Sequence, residues 1–162
     1  MINITREFQF DIAHRVLKHE SKCKSLHGHR IKAEVTISSK NGLDSLGRVL
    51  DFGKMKEVIG EWIDFNWDHN IILNEDDPLV KIWNMRLTED NNQLITLFDN
   101  VFQGKKPYII QGNPTAEILA KILYLKARDL LLPFNLQVEK VIFWETPNCR
   151  AEYYEQKVFH NS

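Results

Sequence analysis

Cysteine is the scarcest useful signal in this chain, occurring only as Cys23 and Cys149. Two thiols cannot build a disulfide framework, so a secreted cross-linked scaffold is excluded and a reducing compartment is the expectation. No apolar run approaches the roughly 20 residues of a membrane span. The opening "MINITREFQF" has no basic stretch leading into an apolar one, and the chain reads as cytoplasmic. Neither sign of charge is in excess: 21 Lys and Arg face 22 Asp and Glu, for a formal net charge of −1. Bulk electrostatics therefore suggest no nucleic-acid partner and no membrane partner. Internal repeats and low-complexity segments are also missing.

What is present is an ordinary globular composition, 43% hydrophobic and 27% charged over 162 residues. A chain of that size fits one domain spanning 1–162 and can bury a proper core. In "FQFDIAH" the even positions Phe8, Phe10, Ile12 and His14 share one strand face, so an apolar face ends in a histidine. From His27 the odd positions run His27, His29, Ile31, Ala33, Val35 and Ile37, while the even ones are polar or glycine. The buried side of this second strand therefore begins with two histidines. The strands are expected to pair antiparallel through a long connection, residues 15–26, which holds Cys23.

Phe52, Met55, Val58, Ile59 and Trp62 recur at three- and four-residue spacing and predict a helix from about Phe52 to Phe65. Residues 74–112 are harder to read, with short helices expected near Pro78 to Asn84 and Gln93 to Phe102 and a short edge strand in "KPYIIQG". A further helix in "NPTAEILAKILYLKARDLLLP" has Asn113 as its expected N-cap, Pro114 at its first position, and Ile118, Leu119, Ile122, Leu123 and Leu130 facing a sheet. "LQVEKVIFWET" and "RAEYYEQKV" read as two strands around a turn at Pro147 and Asn148. This order favours an α+β domain with helices on one face of an antiparallel sheet. The two open edges of such a sheet invite pairing between subunits, so a homo-oligomer is expected.

His14, His27 and His29 can converge near the shared loop end of their strands. Three neutral imidazoles with a fourth position open form the donor set of a catalytic zinc site, whereas hydrogen-bonded core histidines are the plain alternative. Gly28 leaves room for backbone or a ligand on the opposite face. Cys23, flanked by Lys22 and Lys24, suits a thiolate base, but it equally suits a fourth zinc ligand or an inert thiol. Asp68 beside His69 suits a carboxylate that orients a proton-exchanging imidazole, as well as an ordinary helix end. Glu145 closes the apolar run "VIFW", where it can accept two parallel hydrogen bonds from an amino-substituted heterocycle or simply be solvated. Thr115 and Glu117 begin the second long helix, where capping and the helix dipole account for them without a ligand.

Together "FDIAH", "CKSLHGH", "GRVLDFGKMK", "DHNIIL", "NPTAE" and "ETPNC" resemble, in order, the motifs of the 6-pyruvoyltetrahydropterin and 6-carboxytetrahydropterin synthase family. The resemblance covers nearly the whole chain except about 76–110, a segment longer than in compact members. It implies the tunnelling fold, a four-stranded antiparallel sheet with two helices on one face, assembled into a barrel, with a hexamer favoured and sites completed between subunits. It also implies Zn2+ on His14, His27 and His29, proton handling by Cys23, Asp68 and His69, and a pterin held by Thr115, Glu117 and Glu145. The implied substrate is 7,8-dihydroneopterin triphosphate. Three residues separate Cys23 from His27, which resembles the bacterial branch forming 6-carboxytetrahydropterin for queuosine. A pyruvoyl-forming lyase and a non-catalytic zinc-binding domain are the alternatives.

Overall fold

The computed structural model describes residues 2–88, 95–96, 99–100, 102 and 105–156. Among the described residues six strands form one sheet in the order β4-β3-β1-β2-β5-β6. They are β1 (Asn3–His14), β2 (His27–Ser39), β3 (Asn70–Asn74), β4 (Tyr108–Ile110), β5 (Leu136–Thr146) and β6 (Cys149–Tyr153). The helices α1 (Phe52–Met55), α2 (Glu61–Asn66), α3 (Pro78–Thr88) and α4 (Ala116–Leu131) accompany them. A π-helical turn, Lys56–Gly60, joins α1 to α2.

The sheet thus departs from the expected four antiparallel strands. β3 pairs parallel with β1 and with β4, adding two strands at one side. β3 is short and buried on both faces, so it lacks the alternation that marks a half-exposed strand. The expected strand in "KPYIIQG" is β4.

Two compact units divide the chain. One comprises 1–9, 31–62 and 116–162, the other 10–30 and 63–115. In the first unit β2, β5 and β6 are antiparallel, and α4 packs on β5 and β6. Its core includes Val35, Ile37, Val138, Val141 and Phe143. The α4 stripe is Leu119, Ala120, Leu123, Tyr124, Ala127 and Leu131, turned from the expected one, so that Ile118 is 36% exposed. Small alanines let the helix approach the strands, and the Tyr124 hydroxyl donates to the Val138 carbonyl at 3.1 Å. Asp51 caps α1 by accepting from the Gly53 amide at 2.8 Å. Phe52, counted in the apolar stripe from sequence, is half exposed because it is the first residue of the helix.

The second unit positions the chemistry. β1 and β3 pair with Ile12 opposite Asn70 and His14 opposite Ile72. That register sets the residue before β3, His69, beside Asp11. Trp67 is fully buried, its ring 6.0 Å from Phe10 and 5.9 Å from Tyr108, which anchors the chain just ahead of Asp68. Asp77 caps α3 through the Leu79 amide at 2.8 Å, with Pro78 at the first helical position. The same carboxylate, fully buried, grips Arg15 through two hydrogen bonds of 2.6 and 2.7 Å. The expected helix at Gln93 to Phe102 lies largely outside the described residues.

Candidate metal centre and active site

Alternation along β1 buries Phe8, Phe10, Ile12 and His14 and leaves Glu7 and Gln9 exposed. His14, only 1% exposed, ends this face. His27 and His29 begin β2 on its inward side, half-buried. The ring centroids of the three lie 4.7, 5.3 and 4.9 Å apart, and one nitrogen from each falls within 4.8 Å of the others. A Cβ on Gly28 would meet the Ile12 carbonyl at 3.2 Å, so the glycine lets β1 pass close between the two histidines of β2.

Two of the rings are held in one tautomer. His14 Nδ1 lies 2.7 Å from the Pro114 carbonyl, and His27 Nδ1 lies 2.7 Å from the Ser25 carbonyl. A carbonyl only accepts, so each Nδ1 carries the proton and each Nε2 keeps its lone pair. Orientation of the outer ring nitrogen by a carbonyl is the usual support of a metal-binding histidine. The donor set therefore fits a divalent ion that accepts nitrogen ligands.

Asp68 and His69 follow α2. The Asp68 amide bonds the Ile63 carbonyl at 2.9 Å, and His69 has φ 52, in the left-handed region. Histidine is among the non-glycine residues enriched there, and such strain marks a conformation held by its surroundings. Asp68 Oδ2 lies 2.9 Å from His69 Nδ1, while Oδ1 accepts the Asp11 amide at 2.9 Å. The His69 amide in turn donates to the Asp11 carbonyl at 2.7 Å. Partial burial pushes the Asp68 carboxyl up, but the Asp11 amide, the His69 ring and the Lys105 charge outweigh it and hold it below the ordinary carboxylate range. The His69 side chain is 76% exposed.

Cys23 is a free, half-buried thiol in the 3₁₀ turn Lys22–Lys24, and its carbonyl accepts the Val16 amide at 2.9 Å. Among the described residues of the second unit the potential ligands form two groups, His14 with His27 and His29, and Asp11 with Asp68 and His69, and Cys23 joins neither. Thr115 is half-buried ahead of α4, and Glu117 is exposed in its first turn. Glu145 is half-buried near the end of β5, where the pairing of β5 with β6 shifts register between Trp144 and Thr146.

Asn113 does not cap α4, which begins at Ala116. It fastens the connection after β1 instead, accepting the Leu17 amide at 2.9 Å and donating to the Leu17 carbonyl at 3.1 Å. Pro114 is likewise outside the helix and supplies the carbonyl that holds His14. Sequence reasoning missed these supports, together with Ser25, Asp11 and Lys105. They act largely through backbone groups, which no residue type announces. Asp77 carried a readable signal, an aspartate followed by proline at a helix start.

The family model described as 6-pyruvoyl tetrahydropterin synthase matches residues 3–156. A 6-carboxy-5,6,7,8-tetrahydropterin synthase of Rickettsia felis is 40% identical over 155 residues, covering 94% of this chain and 99% of that one. One of Haemophilus influenzae is 29% identical over 158 residues, covering 96% and 100%. Among solved structures, an uncharacterized protein from Wolinella succinogenes has a TM-score of 0.76 at 25% identity, covering 96% of this chain and 98% of that one. The 6-pyruvoyl tetrahydropterin synthase of Caenorhabditis elegans, with a TM-score of 0.58 at 19% identity and 96% of both chains covered, shares the fold. By its full-length match and its close curated relatives, this chain belongs to the 6-pyruvoyl tetrahydropterin synthase family.

Proposed function

We propose that the protein is a zinc-dependent 6-carboxy-5,6,7,8-tetrahydropterin synthase, a lyase converting 7,8-dihydroneopterin triphosphate and water to 6-carboxytetrahydropterin, acetaldehyde and triphosphate in queuosine biosynthesis. The observation that carries this reading is the histidine triad with the His14 and His27 tautomers fixed by carbonyls. Its curated relatives carrying the carboxy-forming name support the product.

His14, His27 and His29 would hold zinc, which when bound would polarise oxygens of the substrate side chain and acidify the neighbouring C–H. The Cys23 thiolate removes a proton from that carbon. His69 exchanges a second proton at Nε2, with Asp68 fixing its ring through Nδ1. Glu145 accepts paired hydrogen bonds from the pterin edge, and Thr115 and Glu117 complete its holder.

The family likeness supports a homo-oligomer, a hexamer, in which a second copy completes each site. The outer strands β4 and β6 offer the edges for such pairing. Among the described residues no helix is long and apolar enough to cross a membrane. Two free thiols suit the cytoplasm.

Incubation of zinc-loaded protein with the triphosphate, with products identified by mass spectrometry, tests the reading. A pyruvoyl product would replace it with the sister reaction.

A further inference from the structure

We infer that Lys105, at the end of the segment between α3 and β4, is a positioning residue for the Asp68 and His69 pair. The inference deepens the proposed function and rests on that pair handling protons. The peptide unit joining the two residues comprises the Asp68 carbonyl and the His69 amide. Its amide donates to the Asp11 carbonyl at 2.7 Å, and its carbonyl accepts the Lys105 ammonium. One peptide plane is therefore gripped at both ends, at the residue whose left-handed φ of 52 most needs holding.

The lysine is itself fixed. Its Nζ also reaches the Asp64 carbonyl at 3.2 Å, and its amide donates to the Phe102 carbonyl at 2.8 Å. The buried Asn70 side chain, immediately after His69, donates to the Lys106 carbonyl at 3.0 Å and the Asn66 carbonyl at 2.8 Å. Residues 105–106 are thus strapped to the same turn from two sides. A lysine that bridges carbonyls at the end of α2 also meets the negative end of the helix dipole there.

The charged groups around Asp68 are His69, Asp11, Lys105 and, through its 3.1 Å ion pair with Asp11, Arg30. Removing Lys105 frees the peptide plane to rotate and deletes a nearby positive charge. Loss of the charge moves the Asp68 carboxyl upward. A displaced Asp68 would also orient the His69 ring poorly, which slows proton exchange without touching pterin or metal binding.

The experiment compares wild-type zinc-loaded protein with Lys105→Met, Lys105→Gln and Lys105→Arg, following the Asp68 carboxyl by carbon NMR titration and measuring kcat, KM and zinc content with the triphosphate substrate. In the Met and Gln variants the Asp68 titration should shift upward and kcat should fall about 10- to 100-fold. KM and zinc content should stay as in the wild type, and Arg should restore both the titration and the rate. An unmoved Asp68 titration in folded Met and Gln variants overturns the inference. So does an Arg variant as impaired as the Met variant. If the wild type does not turn over the substrate, the proposed reaction fails, while the titration still decides the role of Lys105.

Discussion

His14 and Pro114 lie a hundred positions apart in sequence, yet the His14 ring donates through Nδ1 to the Pro114 carbonyl at 2.7 Å. The bond fixes the tautomer that presents Nε2, and it joins the end of β1 to the segment leading into α4. The Ser25 carbonyl does the same for His27 from its own strand entrance. Preorganised nitrogens of this kind lower the cost of holding an ion.

Replacing His27 by Ala should remove both metal and turnover. Loss of a ligand should exceed the about 10- to 100-fold loss of affinity typical of disturbing an outer partner. Zinc content by atomic emission and product formation are the readouts, and a metal-replete, active variant would overturn the triad.

Cys23→Ala should keep its zinc and lose turnover by about 10²- to 10⁴-fold, the span of a general base. A variant that loses metal would instead make Cys23 a ligand and the centre structural.

Asp68→Asn should lower kcat by a similar factor while KM changes little. Its effect on stability depends on pH in a defined sense. The folded carboxyl lies below its ordinary 3.8, so its contribution is complete above the unfolded value and disappears as pH falls through the lower folded value. Urea unfolding at neutral pH should separate the wild type from Asp68→Asn, and the difference should shrink steadily below about pH 5. A gap that widens in acid would contradict the sign.

Asp77→Ala strips the partner from Arg15, whose side chain is 23% exposed, and removes the α3 cap. Partial solvent access softens the usual penalty for breaking such a pair, so the expected loss is about 2–3 kcal/mol in urea unfolding. A change under about 0.5 kcal/mol, the scale of an ordinary surface substitution, would show that the clamp does not stabilise the fold.

Glu145→Gln should raise KM for the pterin about 10- to 100-fold, the cost of hydrogen bonds to a charged acceptor, with zinc unchanged. An unaltered KM would remove Glu145 from the substrate holder.

Much of this was legible because strand alternation is strict. The face from Phe8 to His14 and the face from His27 to Ile37 could be read residue by residue, and their inward placement follows. The helix at 52–66 was legible from its spacing, although its π turn was not. The parallel strand β3 escaped notice because five residues buried on both faces carry no period, whereas β4 was legible as the short edge strand in "KPYIIQG". Asn113 resembled an N-cap and became a loop fastener, since the helix starts three residues later. The clamps on His14, His27 and the Asp68 to His69 peptide run through carbonyls and amides that every residue possesses. Only the folded chain distinguishes them.

The measurement that tests the central claim most directly is the product analysis of zinc-loaded protein incubated with 7,8-dihydroneopterin triphosphate, with acetaldehyde assayed alongside. The account predicts 6-carboxytetrahydropterin and acetaldehyde in equal amounts. A pyruvoyl product without acetaldehyde, or no turnover with zinc bound, would contradict it.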